Sequence, residues 1–192
     1  NEVYMGPNIK PVPRGDKLPD TFKGKVCLKV GDNISTDHIV PSDSKLLPYR
    51  SNVPHLAKFS FCKVDDQFYN RCIENGGGFI VGGDNYGQGS SREHAALVHN
   101  YLKIKAIFAI SFARIHRSNL INNGILPLVI NQKDYDFFND QDEYELINLL
   151  DSIENNKDIA VINKTNNQTI TAKLKLSPRE KTMIQYGGLL NA

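Results

Sequence analysis

Two adjacent serines and an arginine, Ser90, Ser91 and Arg92, follow a glycine-rich stretch and precede a segment with helical periodicity. The N-terminus of a helix exposes unpaired backbone N–H groups and carries roughly half a positive charge, so it attracts anions before any side chain is counted. Arg92 adds a planar guanidinium that suits a carboxylate, although a cation in the first turn opposes the helix dipole. One serine hydroxyl is free to bind or to act as a base if these charges stabilise its alkoxide. The pattern predicts an anion site suited to proton abstraction.

The same residues also fit a purely structural role. Ser90 and Glu93 have the S-x-x-E spacing of a capping box, in which both side chains bind free backbone N–H groups at the helix start. Gly87 and Gly89 would then do no more than permit a tight turn. The stretch lacks the lysine of a phosphate-binding P-loop and the G-x-S-x-G of a nucleophile elbow, which disfavours nucleotide binding and acyl transfer.

A second group of candidates lies in residues 31–50, which are rich in Asp, Asn, Ser and Pro and are expected to form an ordered loop. Asp37 and His38 adjoin each other there, and an aspartate beside a histidine can tune its protonation or hold a basic partner. The alternative is a turn aspartate that caps backbone amides next to a structural histidine. Arg50 closes the loop, either at a ligand cleft or as a solvated surface charge.

A sheet is needed to position these residues. Short apolar strands alternate with helices in the centre of the chain, which predicts an α/β fold with a mixed or parallel central sheet flanked by helices. Arg114 and His116 fall at a strand-to-helix junction, and open α/β sheets bind ligands at the carboxyl ends of their strands. Strands are expected over 25–30, 58–64, 78–83, 105–110, 125–130, 159–163 and 168–176, and helices over 66–75, 91–102, 112–123, 140–153 and 177–190.

The length of 192 residues fits one folded domain. Residues 1–22 hold four of the nine prolines and no apolar periodicity, which predicts an extended linker or strap, with the domain proper over 23–192. The last helix has a complete start signal, with Ser177 as N-cap, Pro178 in its first position and Glu180 three residues after the cap.

Charge and hydropathy exclude several classes of partner. The 23 Lys and Arg residues nearly balance the 21 Asp and Glu residues and are spread along the chain, so a nucleic-acid surface is not expected. The sequence has no apolar run of about 18 residues and no start that resembles a signal peptide, so a membrane partner is not expected either. We expect a cytoplasmic or organelle-matrix protein.

The three cysteines, Cys27, Cys62 and Cys72, have no C-x-x-C spacing and are odd in number, which favours a reducing compartment. Cys27 and Cys62 lie in apolar runs and are expected to be buried, unreactive thiols. An iron–sulfur cluster normally needs three or four thiolates at close spacing. No cofactor or metal is therefore expected on this chain alone.

Three segments together resemble a known family: GDNISTDHI from residue 31, GGFIVGGDNYGQGSSREHAAL from residue 77 and SFARIHRSNLINNGILPL from residue 111. They are similar to the C-terminal swivelling domain of aconitase, in the bacterial type that carries a PNIKPVP-like linker ahead of it. The resemblance runs from about Asn8 to Leu190. It implies the swivelling β/β/α fold and the lyase reaction of the tricarboxylic acid cycle, in which citrate and isocitrate interconvert through cis-aconitate.

The resemblance assigns roles to the candidates. Ser90 matches the alkoxide base that takes the proton from the substrate carbon. Ser91 and Arg92 match residues that grip a substrate carboxylate, and Arg50 matches a second carboxylate-binding arginine.

Further implications concern the rest of the active site. Asp37 and His38 match a catalytic Asp-His pair at the edge of the site. The family's 4Fe-4S cluster is held by cysteines of upstream domains, which none of the three cysteines of this chain matches. The resemblance therefore implies half an active site, inactive alone, that meets cluster-bearing domains of the same chain or a separate large subunit.

Two other functions remain open from the sequence. The small subunit of 3-isopropylmalate isomerase resembles this domain and is a separate chain, although the Pro-rich linker, His38 and Arg50 favour aconitase. A non-catalytic anion-binding or RNA-binding module is the alternative from a different class, and the near-neutral charge gives it no support.

Overall fold

The computed structural model describes residues 6–192 as seven strands in one mixed sheet, flanked by helices, which confirms the predicted fold class. The strands are β1 Phe22–Lys29, β2 Gly78–Val81, β3 Ile104–Ala109, β4 Leu126–Val129, β5 Glu143–Ile147, β6 Ile159–Asn163 and β7 Thr169–Ala172. The helices are α1 Thr36–Ile39, α2 Val53–Ala57, α3 Phe68–Asn75, α4 Glu93–Tyr101, α5 Arg114–Asn122, α6 Leu149–Glu154 and α7 Pro178–Tyr186, with 3-10 helices at Ser44–Tyr49 and Gln132–Phe137. None of the helices in this part of the chain is long and apolar enough to cross a membrane.

The sheet has a parallel half and an antiparallel half that meet at β1. Its strand order is β4-β3-β2-β1-β5-β6-β7, in which β1 to β4 pair in parallel and β5 to β7 pair antiparallel. Parallel neighbours end at the same edge of a sheet, and β2 lies between β1 and β3. The segments that follow these three strands therefore meet at one edge, where open α/β sheets bind ligands.

Alternate side chains of the parallel strands pack into two cores, one on each face of the sheet. In β2, Ile80 enters the core that α2, α3 and α4 cover. Phe79 and Val81 enter the other core, which also receives β5 to β7, α6 and α7. Burial on both faces explains why β2 to β4 appear in the sequence as continuous apolar runs without alternation.

The predicted strand over residues 58–64 is wrong, because this segment forms turns after α2. Phe61 has a φ of 55°, in the left-handed region, and donates its backbone N–H to Ile39 O at 3.2 Å. Its fully buried ring lies 5.1 Å from the ring of Phe68. Alternating apolar residues here mark a turn that inserts one ring into the core.

The predicted helix over 140–153 is also wrong in its first half, which forms β5. Tyr144 and Leu146 are buried on one face, and the strand pairs with both β1 and β6. Asn148, with a φ of 53°, then turns the chain into the short helix α6. The expectation of a loop over 31–50 was likewise incomplete, since α1 and a 3-10 helix lie within it.

The proline-rich segment is attached to the domain. Residues 9–19 contain no helix or strand, Leu18 is buried, and its N–H donates to Gln185 O at 3.0 Å. Residues 1–5 of the predicted linker lie outside the described residues. The division into a linker over 1–22 and a domain over 23–192 stays a prediction.

Candidate active site

Residues 82–92 form the glycine–serine loop, which connects β2 to α4 and is hydrogen-bonded to the segment after β1. The N–H groups of Gly87 and Gln88 both donate to Ile34 O, at 2.7 and 3.1 Å. Thr36 N donates to Gln88 O at 2.9 Å, and the Thr36 hydroxyl donates to Ser90 O at 3.0 Å. These contacts hold the serine end of the loop beside α1.

A glycine is required at position 87 for two reasons. Its φ of 87° lies in the left-handed region, and a Cβ there would lie 2.3 Å from the imidazole of His116. The loop can therefore lie directly on His116, which is 1% exposed. Any side chain at Gly87 would displace either the loop or α5.

The start of α4 corrects the capping-box prediction. Its N-cap is Arg92, not Ser90, and no side chain makes a capping hydrogen bond there. The chain is still extended at Arg92, with φ −125° and ψ 106°, while the Ser90 carbonyl accepts from Thr36. Among residues 6–192, the N–H groups of Glu93 and His94 have no hydrogen-bond partner, and neither do the exposed hydroxyls of Ser90 and Ser91. The donors at this helix start are therefore available to a ligand.

Asp37 positions the guanidinium of Arg92. Arg92 Nη1 donates to Val40 O at 3.2 Å and lies 3.6 Å from Asp37 Oδ1, and Lys63 Nζ lies 3.9 Å from the other carboxylate oxygen. Asp37 accepts hydrogen bonds from the Ser42 hydroxyl and the Ser42 N–H at 2.6 and 2.8 Å. These two hydrogen bonds, with the nearby positive charges, lower the pKa of Asp37. The carboxylate is therefore ionised at neutral pH and holds Arg92 at the start of α4.

His38 supports α1. Its Nδ1 accepts from Ser35 N at 2.9 Å and lies 3.0 Å from the Ser35 hydroxyl, which itself accepts from His38 N, so the pair forms a capping box. His38 lines neither of the two cavities described next. Only its Nε2 remains for other contacts, and its catalytic role stays a prediction.

Two cavities adjoin the start of α4. The first, of about 330 Å³, is lined by Arg50, Ser91 and Arg92, with Leu46, Glu93 and His94 among its other residues. The second, of about 570 Å³, is lined by Ser90, Ser91 and Arg92 and by the first residues of α5. Ser91 and Arg92 thus separate the two cavities. The structure brings the predicted base and the three predicted carboxylate-binding residues to one place.

Two buried histidines lie beneath the loop. The ring of Tyr86 lies 5.6 Å from that of His116, and its hydroxyl lies 3.4 Å from His99 Nε2. Burial lowers the pKa of His116 to about 4 and that of His99 to about 3, so both are neutral at neutral pH. Sequence reasoning missed His99 and Tyr86; the only signal for His99 was its place on the apolar face of α4, beside Ala95 and Val98.

An iron–sulfur cluster does not fit the described residues of this chain. Cys27 and Cys72 are buried next to each other, whereas Cys62 is half-buried at another cavity, beside Lys63. No group of three His, Cys, Asp or Glu side chains in residues 6–192 could hold a metal ion.

Comparison with known proteins identifies the family to which the chain belongs. A family model for the aconitase C-terminal domain matches residues 67–133. The 3-isopropylmalate dehydratase small subunit 2 of Archaeoglobus fulgidus is 37% identical over 166 residues, which are 85% of this chain and 89% of that protein. The chain belongs to the aconitase C-terminal domain family.

Other relatives support the same family. The crystal structure of a 3-isopropylmalate dehydratase from Methanocaldococcus jannaschii aligns with a TM-score of 0.74 and 32% identity, covering 89% of this chain and 92% of that one. A probable mitochondrial aconitate hydratase of Dictyostelium discoideum is 53% identical, but over only 73 residues, or 38% of this chain and 10% of that protein. The relatives are dehydratases and hydratases, so this aconitase-family chain is related to lyases. The match over nearly the whole of a small subunit favours the small-subunit alternative over the bacterial aconitase.

Proposed function

We propose that this chain is the small-subunit component of an aconitase-family dehydratase that acts on a hydroxylated di- or tricarboxylate of the 3-isopropylmalate type. One observation carries the proposal: Ser90, Ser91, Arg92 and Arg50 line adjoining cavities at a helix start that has no cap. The similarity to small subunits over most of their length supports it.

Ser90 is the proposed base. Its hydroxyl has no hydrogen-bond partner in residues 6–192, and it lines the second cavity beside Arg92. The free N–H groups of Glu93 and His94 and the guanidinium of Arg92 stabilise negative charge at this helix start. The Ser90 alkoxide takes the proton from the substrate carbon, and the electron pair of that C–H bond forms the double bond. The C–O bond on the adjacent carbon breaks, and the hydroxyl departs with its electron pair. The proton held by Ser90 and the departing hydroxide together make one water, which returns Ser90 to its alkoxide form.

The carboxylates of the substrate fix its position. Arg92 is held by Asp37 and Val40 through one nitrogen, so its remaining N–H donors can bind a carboxylate. Arg50 lines the same cavity and makes no ion pair in the described part of the chain. Ser91 lines both cavities, and its hydroxyl donates a hydrogen bond to a substrate carboxylate. Asp37 is a positioning residue in this account, since it acts through Arg92.

A large subunit is the proposed partner. Leu47 and Ile115 are 48% and 53% exposed and lie at the first and second cavity. A partner that closes over both cavities would also cover these two apolar side chains. The resemblance implies that this partner carries the iron–sulfur cluster. The similarity to small subunits favours a separate chain over upstream domains of the same chain.

Aconitate hydratase is the second candidate. The local identity of 53% to the probable aconitate hydratase of Dictyostelium discoideum favours it, although that match spans 10% of the relative. Both candidates use the same serine and arginines. The two candidates differ in the substrate group that is present beside the shared carboxylates.

Reconstitution with the cluster-bearing partner from the same source tests the proposal. Dehydration of 3-isopropylmalate, citrate and homocitrate is followed by absorbance of the unsaturated product. The proposal expects the highest kcat/KM for 3-isopropylmalate. A higher value for citrate would replace it with the aconitate hydratase function, and turnover of none by a cluster-loaded complex would contradict both.

A further inference from the structure

The second cavity contains a second helix start without a cap. α5 begins at Arg114 after Ala113, and no side chain caps it. Arg117 N is the first helix N–H that bonds back, to Ala113 O at 3.0 Å. The N–H groups of Arg114, Ile115 and His116 have no hydrogen-bond partner in residues 6–192. All three residues line the cavity together with Arg92, the N-cap of α4, so the starts of both helices border one space.

Two residues that line this space have buried polar atoms without hydrogen-bond partners. His116 lines the cavity, is 1% exposed and has no hydrogen bond at either ring nitrogen. Asn119 lines it too, and its buried side-chain Nδ2 has no partner. Buried polar groups in proteins are normally hydrogen-bonded, and each exception needs an explanation such as an absent ligand or water.

The charges at the second cavity all have one sign. Its lining includes Arg92 and Arg114 and no aspartate or glutamate, whereas Asp43 and Glu93 line the first cavity. Arg114 is exposed and makes no ion pair with any described residue. By contrast, Arg117, one turn further along α5, is bound to Glu180 at 2.8 Å.

We propose that Arg114 and the free amides at the start of α5 form a carboxylate-binding subsite in the second cavity, across Ser91 and Arg92 from Arg50. The proposal rests on the proposed function only in naming a substrate carboxylate as the occupant. It assigns to the substrate class two carboxylates that lie on either side of Arg92, with Ser90 on the side of the second cavity. Arg92 lies between the two subsites and contacts both.

Titration of the full ¹⁵N-labelled chain with tricarballylate tests the subsite without any turnover. The amide resonances of Arg114, Ile115 and His116 are expected to shift together with those of Glu93 and His94. Arg114→Gln should raise the apparent Kd measured at α5 by about 10-fold, in line with a charge-assisted hydrogen bond. Arg114→Lys should recover part of the loss, since it keeps the charge without the planar fork.

Arg179→Gln is the matched control, because Arg179 is exposed near the start of α7, a helix that has its own cap. It should leave the Kd unchanged. The proposal is overturned if the α5 amides do not shift, or if Arg114→Gln and Arg179→Gln give the same Kd. Amide dispersion like that of the wild type verifies that each variant is folded.

The reconstituted complex identifies the source of the carboxylate. A substrate carboxylate predicts that Arg114→Gln raises KM while the affinity between the two chains stays unchanged. Weaker assembly at an unchanged KM would assign the subsite to an acidic side chain of the partner and overturn the substrate assignment. Inactivity on every substrate, with tricarballylate still bound at α5, would refute the proposed function and leave the anion subsite standing.

Discussion

Two helices of this protein begin with nearly the same four residues and are capped differently. Residues 90–93 at the start of α4 read Ser-Ser-Arg-Glu, and residues 177–180 at the start of α7 read Ser-Pro-Arg-Glu. At α7, the Ser177 hydroxyl accepts from Glu180 N at 3.2 Å, and Glu180 Oε1 accepts from Ser177 N at 3.1 Å. At α4 neither of the corresponding bonds forms, and the helix starts two residues later than the pattern predicts.

The difference follows from what surrounds each serine. Pro178 fixes φ in the first position of α7, which favours the helical turn that the capping box needs. Ser90 instead follows Gly89, with a φ of 100°, and its carbonyl is held by Thr36 in another segment. The uncapped start lies at the edge of the sheet where three loops meet. A helix start without a cap costs stability and keeps donors available for an anion.

As pH falls, protonation linked to the buried histidines near α4 should lower the free energy of unfolding before protonation of Glu180 in α7 does. The folded-state pKa values of His116 and His99, about 4 and about 3, lie below the ordinary value of 6.5, so the unfolded chain binds more protons than the folded one. The free energy of unfolding should therefore fall as pH drops below 6.5, by about 1.4 kcal/mol per pH unit for each histidine that is protonated only when unfolded. Urea unfolding at pH 6.5, 5.5 and 4.5 measures this slope.

The corresponding change at α7 comes at lower pH. Burial alone would raise the pKa of Glu180, but hydrogen bonds from Ser177 N and Arg117 lower it overall, so its stabilisation is lost only below its ordinary value of 4.5. His116→Leu should reduce the pH dependence of the free energy of unfolding above pH 4.5. The reduction should equal the contribution of about one proton, which is about 1.4 kcal/mol per pH unit. Equal slopes in the variant and the wild type would remove His116 from this account.

Arginines at the two helix starts should differ in function. Arg92→Lys should raise KM in the reconstituted enzyme by about 10-fold to 100-fold, because an ammonium cannot replace a charge-assisted bidentate contact worth about 1.5–3 kcal/mol. Arg179→Lys should leave KM unchanged. Steady-state kinetics of both variants provides the measurement, and equal KM values would show that Arg92 binds no carboxylate.

Alanine substitutions of the glutamates at the two helix starts should differ in their effect on the free energy of unfolding. Glu180→Ala removes half of a capping box and an ion pair with Arg117 at 2.8 Å, so it should lower the free energy of unfolding by about 1–2 kcal/mol. Glu93→Ala should change it by less than about 0.5 kcal/mol, since Glu93 is exposed and makes no capping bond. Urea denaturation decides, and similar losses in both variants would mean that α4 has a cap in solution.

Local patterns predicted the parts of the fold that depend on local physics. The Ser177 cap of α7 and the strands β6 and β7 lie within a few residues of their signals. The strand at 143–147 was missed because its identity depends on pairing with β1, far away in sequence.

The site shows the same limit. Ser90, Ser91, Arg92 and Arg50 were predicted from residue types and resemblance, and they line two adjoining cavities. The hydrogen bond from Thr36 that prevents Ser90 from capping α4 joins residues 54 positions apart, and the contact of Asp37 with Arg92 is equally non-local. A single sequence shows which residue types could meet, whereas the sheet decides which ones do.

The most direct test of the central claim compares Ser90→Ala with Ser177→Ala for both turnover and stability. The claim is that Ser90 serves chemistry and Ser177 serves the fold. Ser90→Ala should lower kcat by about 100-fold to 10,000-fold, the usual range for a general base, with the free energy of unfolding unchanged. Ser177→Ala should lower the free energy of unfolding by about 1 kcal/mol with kcat unchanged. Full turnover by Ser90→Ala, or a loss of stability equal to that of Ser177→Ala, would contradict the account.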